Sequence, residues 1–330
     1  MATYLVAGCA GFIGSRVTEK LLADGETVIG IDNLNNAYDN RLKDWRLERL
    51  ITHKNFQFHR LDICHQECLG DLFPKIRQSG VKKLDAVINL AARAGVRPSV
   101  LDPWSYLETN TTGTVNLLEF CKSYDIPKFV IASSSSLYGK DNPMPYREDA
   151  NTDFPLSPYA ASKKAAEVYS YTYHYLYGLD VTIYRYFTVY GPAGRPDMSP
   201  LRFVQWISEE RPVTIFGDGS QMRDFTYVDD IARGTIAGLR SLGCEVINLG
   251  SDAPVALMEM ICTIERLTGK KARLEFGASQ RADMQATWAD ISKAHRLLDW
   301  QPQTTLEAGL EQLVDWYQEN REWAKEIVTG

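Results

Sequence analysis

Tyr159 and Lys163 lie four residues apart in Ser157-Pro158-Tyr159-Ala160-Ala161-Ser162-Lys163, and four hydroxyls, Ser133 to Ser136, precede them. A free phenol titrates near ~10 and is a poor base at neutral pH. Bringing it to ~7 takes about 4 kcal/mol of preferential stabilisation of the phenolate. A lysine ammonium one helical turn away can supply part of that, because residues four apart on a helix share a face. A serine hydroxyl across the site can relay the proton or position the substrate oxygen. These groups suit removal of a proton from an alcohol whose carbon gives up hydride. The same spacing recurs at Tyr124 and Lys128. There Pro127 intervenes and breaks a helix, so the two side chains need not share a face. Pro158, by contrast, suits the first position of a helix.

Hydride needs an acceptor, and the start of the chain reads as the element that would hold one. Thr3 to Ala7 is a short apolar run, followed by Gly8-Cys9-Ala10-Gly11-Phe12-Ile13-Gly14. Ser15 to Ala23 then has helical periodicity, with Ile13, Val17, Leu21 and Leu22 on one side. A second apolar run, Thr27 to Ile31, ends at Asp32. Strand, glycine turn, helix and strand in this order form a dinucleotide-binding unit. The glycines supply a tight turn, close approach of backbone to pyrophosphate, and helix-on-strand packing. The helix N-terminus faces the phosphates. Asp32 can accept both ribose hydroxyls and would repel a 2′-phosphate, which favours NAD over NADP. Further strand-like runs end at Asp62-Ile63, at Asn89 to Ala92 and at the serine run, with helical segments between them. The expected fold is α/β, a doubly wound parallel (Rossmann) sheet. Ligands of such sheets sit at the carboxyl ends of strands, which gathers these residues near the cofactor.

The 330 residues suffice for this domain and a smaller one, and 45% hydrophobic with 24% charged residues is ordinary for a globular protein. A net charge of −6 gives no global support for a nucleic-acid partner. An anionic substrate must be met by local arginines and backbone N–H groups. Six cysteines are scattered, and Cys64 with Cys68 is the only close pair. No zinc pattern results, so no metal is expected; buried free thiols in a reducing, cytoplasmic setting fit better. The N-terminus reads as a strand rather than a signal peptide, and no run of ~18 apolar residues suggests a membrane span.

The chain resembles the extended short-chain dehydrogenases/reductases, and among them the nucleotide-sugar epimerases. The resemblance covers essentially the whole chain. It rests on Gly8-x-x-Gly11-x-x-Gly14, the serines before Leu137-Tyr138-Gly139, Tyr159-x-x-x-Lys163, and Arg223-Asp224-Phe225-Thr226-Tyr227-Val228-Asp229-Asp230. Asp32-Asn33-Leu34-Asn35 with Tyr38-Asp39 and Leu42-Lys43, and Arg185-Tyr186-Phe187-Thr188-Val189-Tyr190-Gly191-Pro192 leading to Gly194-Arg195-Pro196-Asp197-Met198, narrow it to the UDP-glucuronate 4-epimerases.

The resemblance implies transient oxidation at C4. Tyr159 removes the hydroxyl proton, hydride passes to NAD, the 4-keto sugar turns over, and hydride returns to the other face. It implies Tyr159, Lys163 and Ser134 as catalytic residues, with Ser136 the second choice of serine. The implied cofactor contacts are Gly8, Gly11, Phe12, Ile13, Gly14, Asp32, Asn33, Asn35, Asp62, Ile63, Leu90, Ala91, Ala92, Asn110, Ser133, Tyr159, Lys163 and Tyr186. The implied substrate contacts are Ser134, Ser135, Ser136, Tyr159, Thr188, Arg195, Arg202, Arg223 and Asp283. Related dehydratases carry Asp-Glu, and decarboxylases a Glu, where this chain has Ser135 and Ser136. Neutral donors at Ser135, Ser136 and Thr188 could hold a uronate without driving loss of CO₂. Arg93, Asn89, Arg281 and Ala282 depart from the residues usual in that group.

The expected division is an NAD-binding domain over 1–184, with a return segment near 225–250, and a UDP-sugar domain over 185–224 and 251–330. Thr304-Thr305-Leu306-Glu307 resembles a capping box, followed by a core-facing Leu306, Leu310, Leu313 and Tyr317. The tyrosine-rich stretch 169–177, with a helix at about 104–122, suggests a homodimer. His174 reads as a packed or surface residue. Thr287, small and near the expected sugar pocket, does not exclude N-acetyl sugars. Alternatives are a UDP-glucose or UDP-N-acetylhexosamine 4-epimerase, a UDP-glucuronate decarboxylase, and a non-enzymatic NAD(P) sensor on the same fold.

Overall fold

The computed structural model describes residues 1–278 and 284–329. The strands are β1 Thr3–Ala7, β2 Thr27–Asp32, β3 Phe56–Arg60, β4 Ala86–Asn89, β5 Lys128–Ser134, β6 Asp180–Tyr186, β7 Thr188–Tyr190, β8 Pro212–Phe216, β9 Met222–Tyr227, β10 Cys244–Leu249, β11 Pro254–Ala256 and β12 Arg273–Gly277. The helices are α1 Phe12–Ala23, α2 Arg41–Ile51, α3 Gln66–Gln78, α4 Val96–Leu101, α5 Pro103–Tyr106, α6 Gly113–Ser123, α7 Pro158–Tyr177, α8 Ser199–Ser208, α9 Val228–Ala237, α10 Leu257–Thr268, α11 Ser292–Leu298, α12 Leu306–Glu319 and α13 Arg321–Ala324. A π-helical segment, Leu107–Thr112, joins α5 to α6.

Among the described residues, seven strands form one parallel sheet in the order β10-β6-β5-β4-β1-β2-β3. Strand order reverses between β1 and β4, the crevice where such sheets take their ligands. A parallel sheet covered on both faces needs strands that are apolar throughout. On one side, α3, α6 and α7 bury Leu69, Leu72, Leu117, Leu118 and Ala166 against Leu5, Ile29 and Ile131. On the other, α1, α9 and α11 bury Val17, Leu21, Ile231, Ala294 and Leu298 against Val6, Val28, Ile88 and Val130. Arg16 pairs with Asp229 through two 2.7 Å hydrogen bonds and so ties α1 to the start of α9.

A second lobe holds the sheet β11-β9-β7 and the parallel pair β12-β8. Its core joins α8, α10 and α12 through Leu201, Val204, Met260, Ile264, Leu310 and Leu313. The main-sheet strand β6 runs two residues past the expected boundary at 184, and β7 begins the second lobe. α9 and then β10, paired with β6, return to the main body. α11 and Trp300 also pack there, although they fall within the span expected for the second lobe. The reason is local: Ala294 and Leu298 are one turn apart and apolar, and the Trp300 indole donates to the Asp230 carbonyl at 2.9 Å.

α7 begins where the sequence suggests. The Ser157 hydroxyl accepts from the Ala160 N–H at 3.2 Å, Pro158 opens the helix, and Gly178, at φ 69°, ends it. α12 differs from expectation by one residue. Its cap is Thr305, whose hydroxyl accepts from Ala308 N–H at 3.3 Å. Glu307, expected to close a box with Thr304, instead pairs with Arg266 at 2.9 Å. Leu310, Leu313 and Tyr317 are fully buried, and Leu306 packs against them. All six cysteines are free, but only Cys9 and Cys121 are fully buried, and Cys68 and Cys262 are exposed. Among the described residues no helix is long and apolar enough to cross a membrane.

Candidate functional site

The end of β5 and the first two turns of α7 bring the reacting groups together. Ser134 closes β5, and its hydroxyl caps a short 3₁₀ turn by accepting from Ser136 N–H at 3.1 Å. The same hydroxyl lies 3.1 Å from that of Ser136 and faces the Tyr159 phenol. Tyr159 is half-buried, with its ring edge-on to Tyr106 at 6.1 Å. Burial raises its phenol above the ordinary value; the Ser134 hydrogen bond and nearby Arg195 work against that, and Asp197 adds to it. Lys163 is 4% exposed and donates to the Ala132 carbonyl at 2.8 Å. Burial pulls its ammonium down to about 8, opposed by Glu167. Ser135 and Thr188 are half-buried.

Next to this lies a cleft lined by Gly8, Gly11, Asp32, Asn33, Asn35, Asp62, Ile63, Leu90, Ala91 and Ala92. Its walls fit a dinucleotide. Gly8 sits at φ +80°, and a Cβ there would lie 2.7 Å from Ala91 N; one on Gly14 would lie 2.0 Å from the Gly8 carbonyl. Gly11 caps α1 without a side chain, which leaves the first N–H groups, including those of Phe12 and Ile13, open to an anion. Asp32 is buried and accepts from Ala10 N–H (3.2 Å) and Leu34 N–H (2.9 Å). Asn33 donates to Asp62 at 2.7 Å. Asn110, in the π segment, grips Arg93 from both sides, accepting from its N–H (2.8 Å) and donating to its carbonyl (2.9 Å), and also donates to Ser162.

Three residues expected at the cofactor are committed elsewhere by their side chains. Ser133 donates to Glu167 at 2.5 Å. Ile63 packs in the core over Gly113. Tyr186 is 6% exposed, and its hydroxyl is 2.7 Å from that of Thr235 on α9. Strand alternation explains Tyr186. Tyr184 and Tyr186 share the α9 face of β6, and Arg185 points to the α7 face.

The arginines divide as well. Arg195 is held by Asp197, at 3.1 Å from Nε and 2.5 Å from Nη2, close to Tyr159. Arg202 lies over the Trp206 ring at 5.0 Å, and its buried Nε has no hydrogen-bond partner. Burial lowers its pKa, and Arg97 adds to the effect. The Asp197 carboxylate works against both. Arg223 donates to the Met222 carbonyl at 2.9 Å, at the lip of β9. Asp283, with Arg281 and Ala282, lies outside the described residues. Thr287 is buried and accepts from Asp224 N–H at 3.3 Å, so its hydroxyl faces β9. His174 is half-buried, with Nδ1 2.8 Å from the Leu179 carbonyl.

The family description for GDP-mannose 4,6 dehydratase matches residues 5–313. The chain belongs to that family, within the extended short-chain dehydrogenases/reductases. It is 55% identical over 328 residues, 99% of each chain, to a UDP-glucuronate 4-epimerase of Thermodesulfobacterium geofontis. It also resembles the crystal structure of UDP-glucuronic acid 4-epimerase from Bacillus cereus in complex with UDP-glucuronic acid and NAD. There the TM-score is 0.89 at 38% identity, covering 96% of this chain and 99% of that one. UDP-glucose 4-epimerase from Thermotoga maritima, solved with UDP-glucose, aligns with a TM-score of 0.88 at 30% identity over 97% and 99% of the two chains.

Several residues of this short-chain dehydrogenase/reductase site escaped sequence reasoning. Lys43 is buried in the cleft, 2.8 Å from the Asn35 carbonyl and 3.9 Å from Asp32. Arg46 is 2% exposed and donates to Ala10 O (3.2 Å), the Tyr38 hydroxyl (2.7 Å) and Ala193 O (2.5 Å). It thereby joins the glycine turn to the loop that carries Arg195. Its signal was available: Arg46 interrupts the apolar stripe of Leu42 and Leu50 on α2. Arg97 on α4 stacks over Phe216 of β8 at 4.3 Å, a meeting of two lobes that no local pattern reports.

Lys163 makes stability depend on pH. Below about 8 it is charged in both folded and unfolded chains, and folding bears the full cost of burying the charge. As pH rises from about 8 toward its ordinary 10.5, the folded protein sheds the proton first and the cost fades. Lys163→Met should therefore gain up to about 3 kcal/mol over the parent at pH 7, a gain that shrinks by pH 10. Urea unfolding of ligand-free protein at both pH values checks this, and an equal gain at both would contradict it.

Proposed function

We propose that the protein is an NAD-dependent UDP-sugar 4-epimerase, interconverting UDP-glucuronate and UDP-galacturonate through a transient 4-ketone. The observation that carries this reading is the setting of Tyr159, facing Ser134 and one turn from buried Lys163, beside a dinucleotide-shaped cleft. It is supported by 55% identity, along nearly the whole chain, to a UDP-glucuronate 4-epimerase.

Gly8, Gly11, Gly14 and the N–H groups of Phe12 and Ile13 would hold the diphosphate of NAD, Asp32 with Asn33 and Asn35 its adenosine ribose, and Asp62 and Leu90 to Ala92 the ground between. Bound NAD supplies an acceptor for hydride from sugar C4 and a donor for its return. Tyr159 takes the C4 hydroxyl proton and gives it back after the sugar has turned. Lys163 favours the phenolate electrostatically and can hold the nicotinamide ribose. Ser134, facing Tyr159, positions the sugar oxygen. Ser135, Ser136 and Thr188 offer neutral donors to the uronate. A 4-keto uronic acid is a β-keto acid, so fixing its carboxylate with hydroxyls, without a general acid, leaves it little route to decarboxylate. Arg202 and Arg223, joined by Arg97, would receive the UDP diphosphate, where planar guanidinium suits paired anionic oxygens.

A homodimer is proposed from α7 and the stretch α5 to α6. Trp104 is 75% and Tyr175 76% exposed, with Leu107 and Tyr171 also open on these elements. Such a cluster of large apolar and aromatic groups is typical of an interface core. Free thiols are consistent with the cytoplasm as its location.

NMR of the protein with UDP-glucuronate and catalytic NAD should show galacturonate anomeric signals and no accumulating NADH. UDP-xylose would mean decarboxylation. No change, with turnover of UDP-glucose, would withdraw the uronate. Arg202→Met should weaken UDP binding by calorimetry tenfold or more, the loss of one charge-assisted bond, and unaltered affinity would remove it from the site. Light scattering at micromolar concentration should return twice the chain mass of 37.3 kDa, and a monomer would count against the dimer.

A further inference from the structure

Behind the reacting pair lies a buried ion pair that the mechanism above does not use. Glu167 follows Lys163 by one turn of α7, and Arg185 projects from the neighbouring strand β6. The two meet in a bidentate pairing, Nε to Oε1 at 3.0 Å and Nη2 to Oε2 at 2.9 Å, with 5% and 4% of the residues exposed. Arg185 is fixed in turn by the Glu148 carbonyl at 3.1 Å and the Tyr138 hydroxyl at 3.2 Å. Glu167 also accepts from Ser133. Two successive residues at the end of β5 are thus tied to α7, Ala132 to Lys163 and Ser133 to Glu167, and the next, Ser134, faces Tyr159.

We propose that Glu167 is a positioning residue for the Tyr159–Lys163 pair, its carboxylate locking the end of β5 onto α7 and presenting a fixed negative charge one turn beyond Lys163. The proposal rests on Tyr159 and Lys163 as the reacting pair. The charged and titratable groups around that pair are Tyr159 and Glu167 on α7, Arg185 on β6, Tyr106 on α5, and Arg195 with Asp197 after β7. Of these, Glu167 is the one that favours the charged form of Lys163. Arg185 faces the carboxylate and holds it in place; a partner so aligned serves orientation, since a buried pair on its own is weak evidence for stability.

The decisive test is the titration of Lys163 itself, followed by NMR of protein carrying [ε-13C]lysine and assigned with Lys163→Arg. Glu167→Gln should lower the titration midpoint by about one pH unit, as expected on losing a nearby opposite charge, and Glu167→Asp should bring it back toward the parent. The alkaline limb of kcat should move the same way, with kcat falling more than KM rises. A midpoint in Glu167→Gln equal to that of the parent would overturn the proposal and leave Glu167 a brace for folding alone. Should Glu167→Gln not fold, with Arg185 left buried and unpaired, the double variant Glu167→Gln, Arg185→Met carries no orphaned charge, and the same fall is expected. The titration needs no turnover. Failure of the epimerase reading would appear in parent kinetics, and failure of this inference in the midpoint.

Discussion

A lysine sunk beneath the end of a parallel sheet constrains everything around it. Lys163 has lost its water and has gained one carbonyl and a carboxylate a turn away. Such a group stays charged only if its neighbours are held still, because dipoles that can swing away stop compensating for lost solvent. The β5–α7 contact provides that stillness. The helix is fixed at its start by Ser157 and Pro158, the strand is paired on both sides by β4 and β6, and side chains close the gap between them. The parallel topology then serves a chemical end: it brings the carboxyl ends of β1, β4 and β5 to one edge, where the glycine-lined cleft lies beside the tyrosine.

The second lobe contributes charge rather than chemistry. Arg202 and Arg97 lie close enough to repel, and an Nε with no partner is buried between aromatic rings. An unsatisfied buried donor of this kind is costly on its own, and the Asp197 carboxylate nearby offsets part of the repulsion. Arg195, by contrast, already has Asp197 as a partner through Nε and Nη2, which leaves the Nη1 donors uncommitted to that carboxylate.

Much of this was legible in the sequence because it is local. β1, the glycine turn, α1 and β2 read directly from periodicity and from Asp32, since every signal lies within about thirty residues. Tyr159 and Lys163 were singled out by spacing and side-chain chemistry, and Ser134 among the four serines only by resemblance to the family. What escaped depends on neighbours that are distant in sequence. Tyr186 was placed at the cofactor, but its side is decided by α9, forty residues on. Thr304 and Thr305 are equally good caps, and packing of α12 chose the second. Lys43 and Arg46 look like surface charges of an amphipathic helix until the loop at 193–194 arrives. Arg97 needs β8 from the other lobe.

Arg46 has a consequence for how long a bound dinucleotide stays. Its guanidinium bonds both the glycine turn at Ala10 and the opposite loop at Ala193, so parting them breaks the charge-assisted bonds on one side while the Tyr38 hydroxyl keeps its hold. Losing such bonds, at about 1.5–3 kcal/mol each, slows the opening that exchange of a bound dinucleotide would need. For an enzyme whose oxidant is restored in every cycle, slow exchange carries no penalty. Each molecule would keep its own oxidation state from one turnover to the next, insulated from the redox balance of the surrounding pool.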